Sequence, residues 1–145
     1  MQVNVRKICA LDAAWIAESE SICFADGWSA EMVSATTARA DFCGAVLEVD
    51  GERAGYILGL SLFENAEVLR VAILPAWRRK GLGARLLQAW FAMVKEKGAE
   101  NVLLEVRRSN AAARALYEGC GFVKFHERAH YYPDGEDALE MKKVL

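Results

Sequence analysis

Only two prolines, Pro75 and Pro133, and two histidines, His126 and His130, occur among the 145 residues. So little proline excludes a polyproline tether, and no low-complexity stretch, linker or internal repeat is present. No apolar run approaches the roughly 18 residues of a membrane helix. The opening Met1-Gln2-Val3-Asn4-Val5-Arg6-Lys7 lacks a signal-peptide pattern, so no membrane partner is expected. The four cysteines, Cys9, Cys23, Cys43 and Cys120, have no C-x-x-C spacing. They read as the reduced thiols of a cytoplasmic protein rather than a disulfide or zinc frame. No His, Cys or Asp cluster has ligand spacing, so no metal is expected. A strong excess of basic charge is missing too. The formal net charge is −2, whereas proteins that grip phosphate backbones are usually far more basic, so direct nucleic-acid binding is not expected.

What is present fits one domain spanning residues 1–145. Apolar residues make up 54% and charged residues 26%, enough to bury a core without disulfides or metal. Gln2 to Ile8 alternates as a short strand. Leu11 to Phe24 carries Leu11, Trp15, Ile16 and Ile22 at helical spacing. Ser29 can cap a second short helix to about Thr37. Gly44–Val49 and Arg53–Leu62 flank Asp50-Gly51, a strong hairpin signal. Val68–Leu74 alternates and stops at Pro75. Leu82–Lys97 is amphipathic through Leu82, Leu86, Leu87, Trp90 and Val94, and Gly98 ends it. Asn101–Val106 reads as a buried strand, Asn110 caps the helix Ala111–Glu118, and Phe122–His126 and Ala138–Val144 close the chain as strands. Hairpins and a crossover in one chain predict an α+β fold: a mixed, mainly antiparallel sheet with helices on both faces.

One local anion site stands out. Strand Val68–Leu74 leads into Arg78-Arg79-Lys80-Gly81-Leu82-Gly83 and then directly into a helix. Unpaired amides and the positive end of the helix dipole favour an anion there. Glycine lets the backbone approach a bulky phosphate, and the basic residues add charge. Together these read as a pyrophosphate cradle. Glycine at a strand–helix turn also occurs for geometry alone. The Walker pattern is absent. A dinucleotide site finds Gly81, Gly83 and Glu105 at suitable spacing, but Leu86 stands where a third glycine belongs, and the motif does not open a βαβ unit.

Arg78-x-x-Gly81-x-Gly83 after Leu74-Pro75 resembles the signature of the GNAT family of N-acetyltransferases, and the element order is similar to that family's along essentially the whole chain. The resemblance implies acetyl-CoA as cosubstrate. It implies that the backbone of Val71, Ala72 and Ile73 pairs with the pantetheine arm. It also implies that Arg78, Arg79, Lys80, Gly81, Leu82, Gly83 and Ala84 form the pyrophosphate loop.

The stretch from Leu103 to Phe122 brings a carboxylate and a phenol to the edge of the same cleft. Glu105 ends a strand, Asn110 caps a helix, and Tyr117 lies two turns into it. Amine acetylation needs a neutral amine, a polarised carbonyl and a proton for the departing sulfur. Glu105 suits the first task as base and Tyr117 the last as acid, while a backbone N–H of Val71–Ile73 could polarise the carbonyl. Alone, Glu105 reads as a strand-end carboxylate, Tyr117 as a core-edge aromatic and Asn110 as a helix cap. The run Leu104-Glu105-Val106-Arg107 through Ser109-Asn110 to Leu116-Tyr117 and Gly121-Phe122 is similar to the ribosomal-protein-alanine N-acetyltransferases (the RimI group). That implies Glu105 as proton acceptor, Tyr117 as proton donor and Asn110 as a coenzyme A contact.

The resemblance extends to the amine. By analogy Tyr131 and Tyr132 lie on a hairpin loop over a peptide slot, and Trp28 faces the substrate; the alternative for the tyrosines is simple packing. Gly27 stands where the family loop has proline, so a more mobile loop is expected. An α-amine titrates about 2.4 units below lysine, so neutralising it at pH 7 costs about 3 kcal/mol less. A single carboxylate base therefore suits an N-terminal amine, and His126 and His130 read as strand-edge residues. The expected substrate is the N-terminal peptide of a protein, a ribosomal protein beginning with alanine. A small-molecule amine such as a polyamine or antibiotic, or a non-catalytic acyl-CoA or peptide-binding module, is the alternative.

Overall fold

Asp50 and Gly51, both in the left-handed region (φ 50° and 83°), turn the first hairpin as an Asp-Gly pair favours. In the computed structural model, which describes residues 1–145, that hairpin joins β2 (Phe42–Val49) to β3 (Glu52–Leu62). With β1 (Val3–Lys7), β4 (Asn65–Ile73), β5 (Asn101–Arg107), β6 (Val123–Arg128) and β7 (Ala138–Val144) they form one seven-stranded sheet. Its order is β1-β2-β3-β4-β5-β7-β6. Every neighbouring pair is antiparallel except β4 and β5.

Helices cover both faces. On one side α1 (Ala13–Cys23) and α2 (Ala30–Thr37) bury Ile16 and Val33 against Tyr56, Leu58 and Ala72. On the other lie α3 (Leu82–Glu96) and α4 (Ala111–Gly119). The α3 stripe Leu82, Leu86, Leu87, Trp90, Phe91 and Val94 is buried, each large side chain contributing roughly 1.5–3 kcal/mol. Trp90 packs against the sheet where Gly59 leaves room: a Cβ there would come within 2.4 Å of the indole. The indole N–H donates to the Cys43 carbonyl at 3.0 Å. Ser29 and Asn110 cap α2 and α4, accepting from the N–H groups of Met32 at 3.2 Å and Ala113 at 3.1 Å. All four cysteines are free thiols, and no helix is long and apolar enough to cross a membrane.

The first helix departs from its apolar spacing. It begins at Ala13, after a 3-10 turn over Ala10–Asp12, and Leu11 and Ile22 are exposed. The Asp12 carboxylate fixes the start, accepting the Cys9 N–H at 2.9 Å and both terminal nitrogens of Arg6 at 2.8 and 2.9 Å. The buried residues of α1 are Ile16, Ser19 and Glu20.

Two features of β4 create the opening for a site. It pairs with β5 only at Asn65, Ala66 and Glu67, opposite Asn101, Val102 and Leu103. Just beyond, Val68 pairs with Gly59 and Arg70 with Leu58, so Leu69 is the extra residue of a bulge. A bulge bends and twists its strand. Past it β4 and β5 part, and the edge of β4 facing β5 is left without a strand partner.

Candidate active site

The gap between the parted strands holds a cavity. Its floor comes from Leu69, Arg70 and Val71 of β4 and from Glu105, Val106 and Arg107 of β5. Asn110, which caps α4, and Ala113 and Tyr117 within it form one wall. Phe24 and Asp26, after α1, and Tyr132, between β6 and β7, form the roof. Glu105 and Tyr117 thus meet in one space, and Glu105 also borders a second recess beside Glu67 and Glu140.

Tyr117 is 8% exposed. Burial pushes its phenol up to about 12, against which the nearby Arg70 charge acts in the opposite direction. The hydroxyl is therefore protonated at neutral pH and able to donate. Burial also raises the Tyr132 phenol, and the Glu105 charge adds to the rise. The Tyr131 phenol is raised first by hydrogen bonding to Glu105, then by burial and charge. Burial and, next, the Glu105 charge push the Glu67 carboxyl up.

The far end of the gap is the glycine loop. Arg78 donates its Nε–H to the Ile73 carbonyl at 2.8 Å, folding the loop back on β4. Arg79 and Gly81 both take positive φ (64° and 73°), and nothing lies within 4 Å of where a Gly81 Cβ would be. The first amides of α3, after Gly81, have no partner within the helix. Arg79 and Lys80 are exposed beside them. Gly83 serves packing instead, since its Cβ would meet Leu116 of α4 at 3.2 Å.

Of the residues singled out in the sequence, Val71, Glu105, Asn110, Tyr117 and Tyr132 line the cavity. Ala72 is buried toward α1 and α2, and Ile73 packs against the core on the other face. Trp28 does not line the cavity; its ring lies 5.4 Å from the Arg70 guanidinium carbon. Tyr131 is exposed and stacks edge-on to Tyr132 at 5.1 Å. His126 and His130 stay outside the cavity, and the His130 ring lies 3.1 Å from the Gly135 carbonyl. Phe24, Asp26, Arg70 and Arg107 were not expected there. A lone arginine within the otherwise apolar run Val68–Leu74 was the available signal for Arg70.

A family model described as the acetyltransferase (GNAT) family matches residues 14–122. The chain belongs to the GNAT acetyltransferase family. As a GNAT protein it is an N-acetyltransferase that takes its acetyl group from acetyl-CoA. It is 44% identical over 113 residues to an N-alpha-acetyltransferase of Sulfurisphaera tokodaii, a match covering 69% of this chain and 68% of the relative. It is 31% identical over 142 residues to a ribosomal protein bS18-alanine N-acetyltransferase of Salmonella typhimurium, covering 96% and 94%. The crystal structure of the ribosomal-protein-S18-alanine N-acetyltransferase from Escherichia coli matches with a TM-score of 0.91 at 29% identity, over 99% of this chain and 94% of that one.

The residues present fit acetyl-CoA. The open space above Gly81 and the unpaired α3 amides suit a pyrophosphate. The unpaired β4 edge offers backbone groups to an extended amide-bearing arm.

Proposed function

We propose that this chain acetylates the N-terminal α-amine of a protein, and that its substrate is a ribosomal protein beginning with alanine. The observation that carries this reading is the cavity in which Glu105 and Tyr117 face one space beneath a tyrosine-bearing loop. The names of two relatives support it: that from S. tokodaii is an N-alpha-acetyltransferase, and that from S. typhimurium is a ribosomal protein bS18-alanine N-acetyltransferase.

In this reading the loop from Arg78 to Ala84 holds the coenzyme A pyrophosphate, through backbone amides with charge from Arg78, Arg79 and Lys80. The edge of β4 at Val71, Ala72 and Ile73 aligns the pantetheine arm, and Asn110 contacts the coenzyme. The peptide enters under Tyr132, with Tyr131 and Trp28 supporting the slot. Glu105 accepts a proton from the attacking amine, directly or through one water. The new N–C bond forms as the C–S bond breaks, and Tyr117 passes its proton to the departing sulfur. No acyl-enzyme is involved. One carboxylate suffices for an α-amine, whose neutral form is about 3 kcal/mol more accessible at pH 7 than that of lysine.

The test is thiol release from acetyl-CoA with two matched peptides. One has a free N-terminal alanine; the other is blocked there and carries an internal lysine. Turnover on the first alone is expected. Turnover on neither, with acetyl-CoA still bound, would discard the peptide substrate and point to a small amine.

A further inference from the structure

The chemistry above leaves Arg70 without a task, although it lines the same cavity as Tyr117. A largely buried guanidinium needs a partner. That partner is Glu20 of α1, which is fully buried. Glu20 Oε1 accepts the Arg70 Nε–H at 2.9 Å and lies 2.7 Å from Nη2. The same oxygen accepts the Trp28 N–H at 3.0 Å, and the Tyr56 hydroxyl donates to Oε2. Gly27 rests on the backbone of this residue, where a Cβ would come within 2.4 Å of the Glu20 carbonyl oxygen. Above the guanidinium carbon lie the Phe24 ring at 4.1 Å and the Trp28 ring at 5.4 Å. One side chain therefore joins the floor of the cavity to its roof.

We propose that Arg70 is a positioning residue for acetyl transfer: clamped by Glu20, it fixes the Phe24–Trp28 segment against the cavity and holds a positive charge at the cavity that Tyr117 also lines. The inference rests on the reading of Tyr117 as proton donor. When Tyr117 releases its proton to sulfur, negative charge develops on its oxygen in a buried site. Burial opposes that charge, and Tyr132 and Cys120 oppose it further, while Arg70 favours it. The Glu20–Arg70 pair is neutral as a whole, but of the two only Arg70 lines the cavity.

Replacing Arg70 alone by an apolar residue would strand the buried Glu20 carboxylate. The experiment therefore uses the neutral pair Glu20→Gln/Arg70→Met, in which the glutamine oxygen still accepts from Trp28 and its NH2 can donate to the Tyr56 hydroxyl, and separately Arg70→Lys. Each is assayed with Tyr117 intact and in a Tyr117→Phe background. The neutral pair is expected to lower kcat about tenfold with Tyr117 present and less than about twofold in Tyr117→Phe, a coupling that a merely structural role would not give. Peptide KM should rise in both backgrounds. Arg70→Lys keeps the charge and the pair but lacks the flat face that stacks on Phe24. It should retain kcat within about threefold while raising peptide KM, and it carries the test if the neutral pair does not fold. Equal kcat losses in both backgrounds would overturn the role of Arg70 and leave Tyr117 as donor. Full kcat in Tyr117→Phe alone would remove the donor reading and this inference with it.

Discussion

The guanidinium carbon of Arg107 lies 4.0 Å from the ring centroid of Tyr132. The same side chain holds Asp134 at 2.8 Å, Glu136 at 3.0 Å and Asp26 at 3.9 Å. Arg107 thus ties the β6–β7 loop to the segment after α1, the two parts of the cavity roof. Arg107→Met should raise the peptide KM about tenfold and leave acetyl-CoA affinity within about twofold. Initial-rate kinetics varying each substrate in turn check this. A selective rise in the KM for acetyl-CoA would show that the roof serves the coenzyme instead.

Glu105→Gln removes the proton acceptor while keeping the shape of the side chain. Loss of a positioned general base costs about 100- to 10,000-fold in turnover. The expected result is a fall of that order in kcat, with acetyl-CoA binding by calorimetry unchanged. Full activity in this variant would move the base elsewhere, with Glu67 the first candidate because it shares a recess with Glu105.

Gly81 has a left-handed backbone and open space above it. A β-branched residue is strained in that conformation by about 1–2 kcal/mol and would fill the space. Gly81→Val should weaken acetyl-CoA binding at least about tenfold and leave the peptide KM of the remaining activity near wild type. Wild-type affinity for acetyl-CoA would place the pyrophosphate elsewhere.

Acid should destabilise the fold through Asp12. Hydrogen bonds from Arg6, more than the others, hold its carboxyl well below the usual range, against a smaller opposing effect of burial. With the folded value depressed, the contribution is complete above the unfolded value of about 4 and is lost as pH falls toward the folded value. Asp12→Asn should cost about 1–3 kcal/mol at pH 7 and flatten the fall in stability between about pH 4 and pH 2. Urea unfolding at a series of pH values measures both.

The parts legible in the sequence were those with local causes. Asp50-Gly51 specified its own hairpin, the α3 stripe its buried face, Asn110 its cap, and Gly81 before α3 a turn with open space above it. The parts that escaped are pairings between distant segments. Glu20 and Arg70 are 50 residues apart, and neither has a reason to be buried until the other is present. Their pairing allows α1 to turn a carboxylate inward while Leu11 and Ile22 stay exposed. Gly27 suggested a loosely held loop; instead it permits the close contact with Glu20 from which Trp28 is pinned. Arg107 likewise shows its purpose only when β7 brings Asp134 and Glu136 beside it.

The most direct test puts both candidate amines in one molecule. A peptide with a free N-terminal alanine and an internal lysine is incubated with the enzyme and acetyl-CoA, and fragmentation mass spectrometry locates the acetyl group. Acetyl on the alanine nitrogen alone is the predicted result. Acetyl on the lysine side chain would contradict the account, because it would require an active site able to neutralise an amine that one carboxylate at Glu105 is not expected to reach.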